Sequence, residues 1–195
     1  PEPGVISNGF LLFKGQSQTK GIDISFSYEH KKYFSMLTYT LSKSDNRFAQ
    51  LFKNQLFPSS EDSRHQLKWV NTISIGKFDF SGTYIGATGR PYLDLSSIRT
   101  PIERANLVVE NYIQKLPEYH RVDVGAYFKF KLSGYDSRIG FSVFNLMNRV
   151  NVKYRQFVYQ LPPLQNQQNP VNTILGSDVA QLERTFNVNF NITIG

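Results

Sequence analysis

The stretch LPEYHRVDVGAYFKFKLSGYDSRIGFSVFNLMNR, Leu116 to Arg149, decides how the rest of the chain is read. Every even position from Val122 to Leu132 is apolar: Val122, Val124, Ala126, Phe128, Phe130 and Leu132. The odd positions between them hold Asp123, Gly125, Tyr127, Lys129 and Lys131. Successive side chains of a β-strand point to opposite faces, so this run is a strand with one apolar face and one charged or small face. A polar turn at Ser133 to Ser137 leads into a second alternation, Ile139, Phe141 and Val143 against Gly140 and Ser142. Together they predict a hairpin of two long strands.

The pattern recurs on either side. Residues 1–19 are weakly patterned, with Phe10 to Phe13 reading as the returning arm of a loop. From Gly21, the residues Ile22, Ile24, Phe26 and Tyr28 alternate with Asp23, Ser25, Ser27 and Glu29. His30-Lys31-Lys32 is a tight turn into a strand from Tyr33 to Lys43, where Leu37, Tyr39 and Leu41 share a face. A third strand carries Leu67, Trp69, Ile73 and Ile75, and Gly76-Lys77 turns it into a fourth bearing Phe78, Phe80, Gly82, Tyr84 and Gly86. The last strand sets Phe186, Val188, Phe190, Ile192 and Ile194 against Asn187, Asn189, Asn191 and Thr193. No segment repeats with a helical period, so the chain is expected to be all-β, with seven antiparallel strands.

Connections alternate between short and long. The long ones cover residues 44–64, 88–118 and 150–183, punctuated by Pro91, Pro101, Pro117, Pro162, Pro163 and Pro170, with an extended piece expected at Val152 to Leu161. Structureless loops of that length are uncommon in compact soluble domains. Transmembrane β-barrels, in contrast, have short turns at one rim and long loops at the other. Their tilted strands need about 9–11 residues to cross. A soluble β-sandwich also alternates, but the loop asymmetry and the strongly polar second face favour the barrel. An odd number of strands does not close a single-chain bacterial barrel, and open edges in lipid leave backbone groups unpaired. The chain is therefore expected to be one part of a larger barrel, a reading that suits its start at Pro1-Glu2-Pro3-Gly4 without Met or signal peptide.

Composition excludes several classes. There is no cysteine, hence no disulfide framework or thiolate metal site. The net charge of +7 is scattered over loops rather than gathered in a stripe, so nucleic acid is not an expected partner. A mean hydropathy of −0.36 is compatible with strands that are apolar on one side only. His30, His65 and His120 would have to converge with carboxylates such as Asp62 or Glu118 to hold a metal, and they read instead as structural hydrogen-bonders. No metal and no cofactor are expected. The pairs Arg64-His65 and His120-Arg121, at equivalent heights, suit phosphate groups of a lipid leaflet or neighbouring loop carboxylates. Ser63 and Asp62 near His65 offer no nucleophile geometry and no G-x-S-x-G is present, so the chain is not read as an enzyme.

The aromatic residues divide by position. Phe128, Phe130, Phe141, Phe186 and Phe190 belong to the apolar faces, while Tyr33, Phe34, Tyr135 and Phe78, near the short turns, fit an interfacial girdle. The candidate ligand contacts are the loop residues Arg47, Phe48, Phe52, Phe57, Arg90, Tyr92, Arg99, Tyr112 and Tyr154. The ladder Asn187, Asn189 and Asn191 suits a hydrated interior or a lumen plug.

Six short segments carry a resemblance. They are Lys20-Gly21-Ile22-Asp23, Tyr39-Thr40-Leu41-Ser42-Lys43, Asp62-Ser63-Arg64-His65-Gln66-Leu67, Ala87-Thr88-Gly89-Arg90-Pro91, Leu116-Pro117-Glu118-Tyr119-His120-Arg121-Val122-Asp123 and Phe144-Asn145-Leu146-Met147-Asn148-Arg149. In this order and spacing over residues 20–149, the chain resembles the C-terminal part of a TonB-dependent outer-membrane receptor, in the broad group that includes glycan and peptide importers. The resemblance implies a plugged barrel of about 22 strands, of which these would be the last seven, with residues 1–195 as one segment of it. It implies a bacterial outer-membrane location with the long loops outside, and Asp123, Tyr127, Lys129, Lys131, Asn187, Asn189 and Asn191 facing the lumen or plug. It further implies import of a large glycan, peptide or metal chelate, contact with outer-membrane lipid and lipopolysaccharide, and coupling to the TonB complex through an N-terminal region outside this sequence. A surface lipoprotein or other outer-membrane subunits would be further partners. The alternative is a receptor-like barrel that scaffolds an outer-membrane complex without importing. Such barrels end in a strand read by the insertion machinery, here Phe186, Phe190, Ile192 and Ile194. The usual terminal aromatic is not reached at Ile194-Gly195, so one further residue, an aromatic, is expected after it.

Overall fold

The computed structural model describes residues 5–7, 10–12, 14–49, 54–94, 96, 108–160 and 173–193. In chain order the strands are β1 (Val5–Ser7), β2 (Phe10–Leu12), β3 (Gly15–His30), β4 (Tyr33–Phe48), β5 (Leu56–Pro58), β6 (His65–Ile75), β7 (Phe78–Ala87), β8 (Pro91–Leu93), β9 (Ile113–Lys115), β10 (Tyr119–Leu132), β11 (Tyr135–Phe144), β12 (Val152–Gln160), β13 (Thr173–Ala180) and β14 (Thr185–Thr193). Seven of them, β3-β4-β6-β7-β10-β11-β14, form one antiparallel path in which each strand pairs with the next in that order. These are the seven strands that the alternation predicts. β5 pairs with the far end of β4, and β1–β2, β8–β9 and β12–β13 are separate two-stranded hairpins.

The period of two, carried across the register, gives the sheet its two unlike faces. One cross-strand row runs Ile73, Phe80, Ala126, Phe141, Val188, and the next runs Ile75, Phe78, Phe128, Ile139, Phe190. A third row joins Leu37, Trp69, Tyr84 and Val122. On the opposite face the rows are Thr72, Ser81, Gly125, Ser142, Asn187 and Ser74, Asp79, Tyr127, Gly140, Asn189. Phe34 pairs with Thr72 and lies on the polar face, whereas Tyr33 pairs with Ile73 on the apolar one. The girdle expected from the sequence therefore includes Tyr33 but not its neighbour.

No second layer covers the apolar face among the described residues. Phe26 is 66% exposed and Val188 72%, and only Leu116 and Val143 are buried apolar residues among those described. A sandwich would bury this face against a second sheet. A continuous apolar wall left uncovered by protein is instead the surface that lipid covers.

The structure corrects several boundaries. The turn expected at Ser133 to Ser137 is only Ser133-Gly134, both with positive φ (51° and 87°), the conformation of the hairpin turns that match strand twist. Tyr135 already pairs with Leu132 and Asp136 with Lys131, so the polar run after the turn is strand. β3 begins at Gly15 and β4 continues to Phe48, each 16 residues, so the sheet projects beyond the length needed to cross a bilayer. Polar ends of strands read as loop in sequence because no apolar face marks them there. The long connections likewise contain β5 and the hairpins β8–β9 and β12–β13, the last using the extended piece expected at residues 152–161.

Exchanging faces should show in stability. Phe141→Arg places a charge on the apolar wall and should cost about 2–4 kcal/mol near the bilayer midplane. Ser142→Arg, on the polar face, should change stability by about 0.5 kcal/mol or less. Urea midpoints for folding of the intact barrel into lipid vesicles measure the difference.

Candidate functional site

The sequence segments that stand out lie where strands give way to long loops, and there side chains replace the backbone ladder. Asp62 accepts the Ser44 N–H at 2.8 Å and pairs with Arg64 at 3.3 Å. The Ser63 hydroxyl donates to the Thr88 carbonyl, and the Thr88 hydroxyl accepts the His65 N–H. Gly89 passes the Leu116 carbonyl so closely that a Cβ there would lie 1.7 Å from the oxygen. Leu116 N–H donates to the Arg90 carbonyl. The loop 54–64 and the two ends of the connection 88–118 are thus pinned together at the rim.

The third loop is held by asparagines. Asn145 is fully buried, with φ at 52°. Its backbone N–H donates to Asp123 at 2.9 Å, and its amide donates to the Arg149 and Leu182 carbonyls at 3.0 and 3.3 Å. Asn148 accepts the Arg184 N–H. Asn151 takes the place of a strand partner for His120, accepting its N–H at 3.0 Å and donating to its carbonyl at 2.9 Å. In sequence Asn145 and Asn148 carry the resemblance to a family, Asn151 does not, and none of the three signals chemistry. Their work is visible only once the chain ends they join are in place.

Above these clamps the polar face opens into a cleft of about 410 Å³ lined by residues including Ser63, Gln66, Arg90, Arg121, Lys153 and Gln181. Arg90 pairs with Glu61 at 3.1 Å and also donates to the Lys153 carbonyl. Arg121 pairs with Asp123 at 3.0 Å, donates to the Tyr119 hydroxyl, and stacks over Phe144 at 4.2 Å. A smaller cleft of about 140 Å³ lies between Phe57, Pro58, Pro91 and Tyr92.

Of the candidate ligand contacts, the structure brings together Phe48, Phe57, Tyr92 and Arg90. Phe48 and Phe57 stack at 5.9 Å, Phe57 and Tyr92 line the small cleft, and Arg90 lines the larger one. Arg47 points to the other side of β4 from Phe48, into a separate cleft with Gln16 and Gln18. Tyr112 ends the 3-10 turn Val109–Tyr112, and its carbonyl accepts the Asp94 N–H. Tyr154 is 45% exposed, on the opposite side of β12 from Arg155. Phe52, Arg99 and Ile194 lie outside the described residues. Gln66, Lys153 and Gln181 were not singled out by sequence, since each is an ordinary polar residue until the loops meet.

Arg155 organises the outer hairpin. It makes two hydrogen bonds to Asp178, at 2.6 and 2.9 Å, donates to the Tyr92 hydroxyl at 2.6 Å and lies over the Tyr92 ring. The guanidinium raises its own basicity through this pairing and holds the Asp178 carboxyl below its ordinary value of 3.8. The seven residues read as lumen-facing share the polar face. Asp123 holds Asn145, Lys129 pairs with Asp79 at 2.7 Å, Lys131 lies 3.6 Å from Asp136, and the Tyr127 ring lies against Gly140. Asn187, Asn189 and Asn191 face Ser142, Gly140 and Arg138.

The match that decides the family covers most of this sheet: the family described as TonB dependent receptor-like, beta-barrel matches residues 4–146. The chain belongs to the TonB-dependent receptor β-barrel family. No curated protein and no solved structure matches it. The family places the chain among outer-membrane receptors and transporters and links it to the TonB complex. Its apolar wall is the lipid-facing surface of such a barrel, and the long connections are its loops.

Two outcomes test the clamps. Asn145→Ala removes the amide that the Arg149 and Leu182 carbonyls share and should cost about 1–3 kcal/mol, read as earlier heat-induced loss of the barrel's gel mobility shift. For the outer hairpin, a depressed Asp178 value means that the ion pair contributes above pH 3.8 and is lost as pH falls through the value in the folded state. Amide exchange in β12, corrected for intrinsic rate, should therefore accelerate below pH 3.8, and Asp178→Asn should abolish that dependence.

Proposed function

We propose that this chain forms the C-terminal wall of a receptor barrel that captures a large, oxygen-rich ligand at its outer mouth and passes it inward with TonB-derived energy. On this reading residues 1–195 continue a barrel whose remaining strands pair with the edges β3 and β14, and a plug and TonB-contacting segment belong to the N-terminal part of the receptor. The polar face then faces the lumen, and Phe186, Phe190 and Ile192 of β14, with Ile194 after them in sequence, supply the signal read by the insertion machinery. The observation that carries the proposal is the cleft at the loop-bearing end of the polar face, where Arg90, Arg121 and Lys153 converge with Gln66 and Gln181. Three cations and two amides offer hydrogen-bond donors to carboxylate, carbonyl or sugar oxygens. The neighbouring Phe57 and Tyr92 supply apolar faces for a sugar ring or a peptide side chain. A glycan, a peptide or a metal chelate of this polarity fits the same donors, and the chain performs no reaction on it.

A second reading rests on β12–β13. Tyr154, Val158 and Leu175 are 45%, 55% and 52% exposed on one side of this hairpin. That surface suits a protein partner, such as a surface lipoprotein or another subunit of an outer-membrane complex, with the barrel acting as scaffold.

Uptake by cells carrying chromosomal variants separates the two. Under the import reading, Arg90→Ala and Arg121→Ala should each weaken ligand capture about tenfold, roughly 1.4 kcal/mol, without lowering receptor abundance. Removal of TonB should abolish accumulation of the ligand. Unchanged uptake in both variants and in the TonB-deficient strain would sink import and leave the scaffold.

A further inference from the structure

The polar face carries a second group of cations, at the end opposite the outer cleft. Lys129 and Arg138 are cross-strand partners on β10 and β11, and Asn191 of β14 follows in the same row. One row nearer the rim, Lys131, Asp136 and Thr193 align in the same way. Lys77 joins them from the turn between β6 and β7, where its carbonyl accepts the Lys129 N–H at 2.8 Å. These residues line a cleft of about 970 Å³ beside the short turns. Lys77, Lys129, Lys131 and Arg138 are all exposed. Neither the loop clamps nor the outer cleft uses them.

The charges of this group do not cancel. Lys129 is held by Asp79 at 2.7 Å, and Asp79 also accepts from the Ser74 hydroxyl. Lys131 lies 3.6 Å from Asp136, but the two side chains are 73% and 80% exposed, so water screens the pair. Arg138 lies over the Tyr127 ring at 5.4 Å, and among the described residues neither it nor Lys77 is bound to a carboxylate. Four cations against two carboxylates leave a surplus of two positive charges. Towards the outer cleft the wall becomes small and uncharged in the row Thr72, Ser81, Gly125, Ser142, Asn187. Cations return at Arg121, eight residues along β10 from Lys129, or about 26 Å at ~3.3 Å per residue.

We propose that this cleft is a second binding site for the ligand, met as it leaves the lumen, and that the ligand is an acidic glycan. The inference deepens the import reading and rests on it. Carboxylate groups of the glycan accept from Lys77, Lys131 and Arg138, while its hydroxyls donate to Asp136 and to the amide oxygen of Asn191. A wall with cations at both ends attracts the same anionic groups at capture and at release. An acidic peptide fits less well. Recognition of a peptide main chain uses free N–H and C=O groups, and those of Lys129 and Arg138 are taken up in the ladder β7-β10-β11-β14. Side-chain donors and acceptors are what remain, and they suit a polymer that carries its polar groups on every sugar ring.

The experiment is calorimetric titration of the intact receptor, purified in mild detergent so that both mouths meet solution, with trigalacturonic acid, its methyl ester and triglutamate. The wild-type receptor should bind the acidic trisaccharide at two sites, and the uncharged ester about tenfold more weakly at each. Lys131→Gln with Arg138→Gln should weaken one site about tenfold, as expected for two lost charge contacts, and leave the other unchanged. Arg90→Ala should do the converse. Lys77→Gln, on an exposed turn, should weaken the same site as the double variant, and it decides the matter if the double variant does not fold. Binding that ignores the Lys77, Lys131 and Arg138 substitutions, or an ester or triglutamate that binds as tightly as the acid, would overturn the proposal. So would unchanged binding with faster proteolysis of the receptor's N-terminal part, which would make the cleft a plug contact. A single site that responds to Arg138 but not to Arg90 supports this cleft and counts against the outer one, whereas a single site that responds only to Arg90 overturns this cleft alone.

Discussion

A sheet that meets lipid on one side has no water there to satisfy its backbone, so every N–H and C=O in the span must find its partner in the neighbouring strand. The rest of the structure depends on that ladder. It runs unbroken in the path β3-β4-β6-β7-β10-β11-β14, and its register aligns apolar with apolar across each pair. A slip of one residue would turn Phe128, Phe141 and Val188 to the polar side and put Asp123 and Lys129 in lipid. The membrane therefore selects the register more strictly than any turn sequence does.

The ladder cannot continue where the chain leaves the bilayer and the strands diverge into loops. There the structure substitutes side chains for backbone. Asn151 gives and takes the two hydrogen bonds that a strand would exchange with His120, and buried Asn145 gathers carbonyls from Arg149 and Leu182 while its own N–H binds Asp123. Asp62 does the same for Ser44. These junctions position the cations of the outer cleft, whose loop bases are held by hydrogen bonds between segments far apart in the chain.

The two faces divide the chemistry as well as the packing. Ion pairs such as Lys129 with Asp79 and Arg121 with Asp123 lie on the polar face, where water can reach them. The apolar face admits only polar groups that satisfy one another, as where Trp69 donates to Ser35 and Tyr33 to Asn71. Tyr39 with His65 and Tyr84 with His120 follow the same rule.

Much of this was legible in residues alone. Alternation is a local signal, and in a membrane wall nothing tertiary overrides it, so Val122 to Leu132 and Phe186 to Ile192 read correctly as strands with the right faces. The extent of the strands was not legible: Asp136 to Arg138 and Ser44 to Arg47 carry polar residues on both sides, and without an apolar face they leave no strand pattern. Nor was the gathering of Arg90, Arg121, Lys153 and Gln181, which belong to two separate connections and to β10 and meet only because clamped loop bases bring them to one rim. The sequence by itself determined which side of each strand meets lipid, since that depends on side-chain periodicity. Only the tertiary structure decided which loop residues share a cleft, because their convergence depends on hydrogen bonds between segments far apart in the chain.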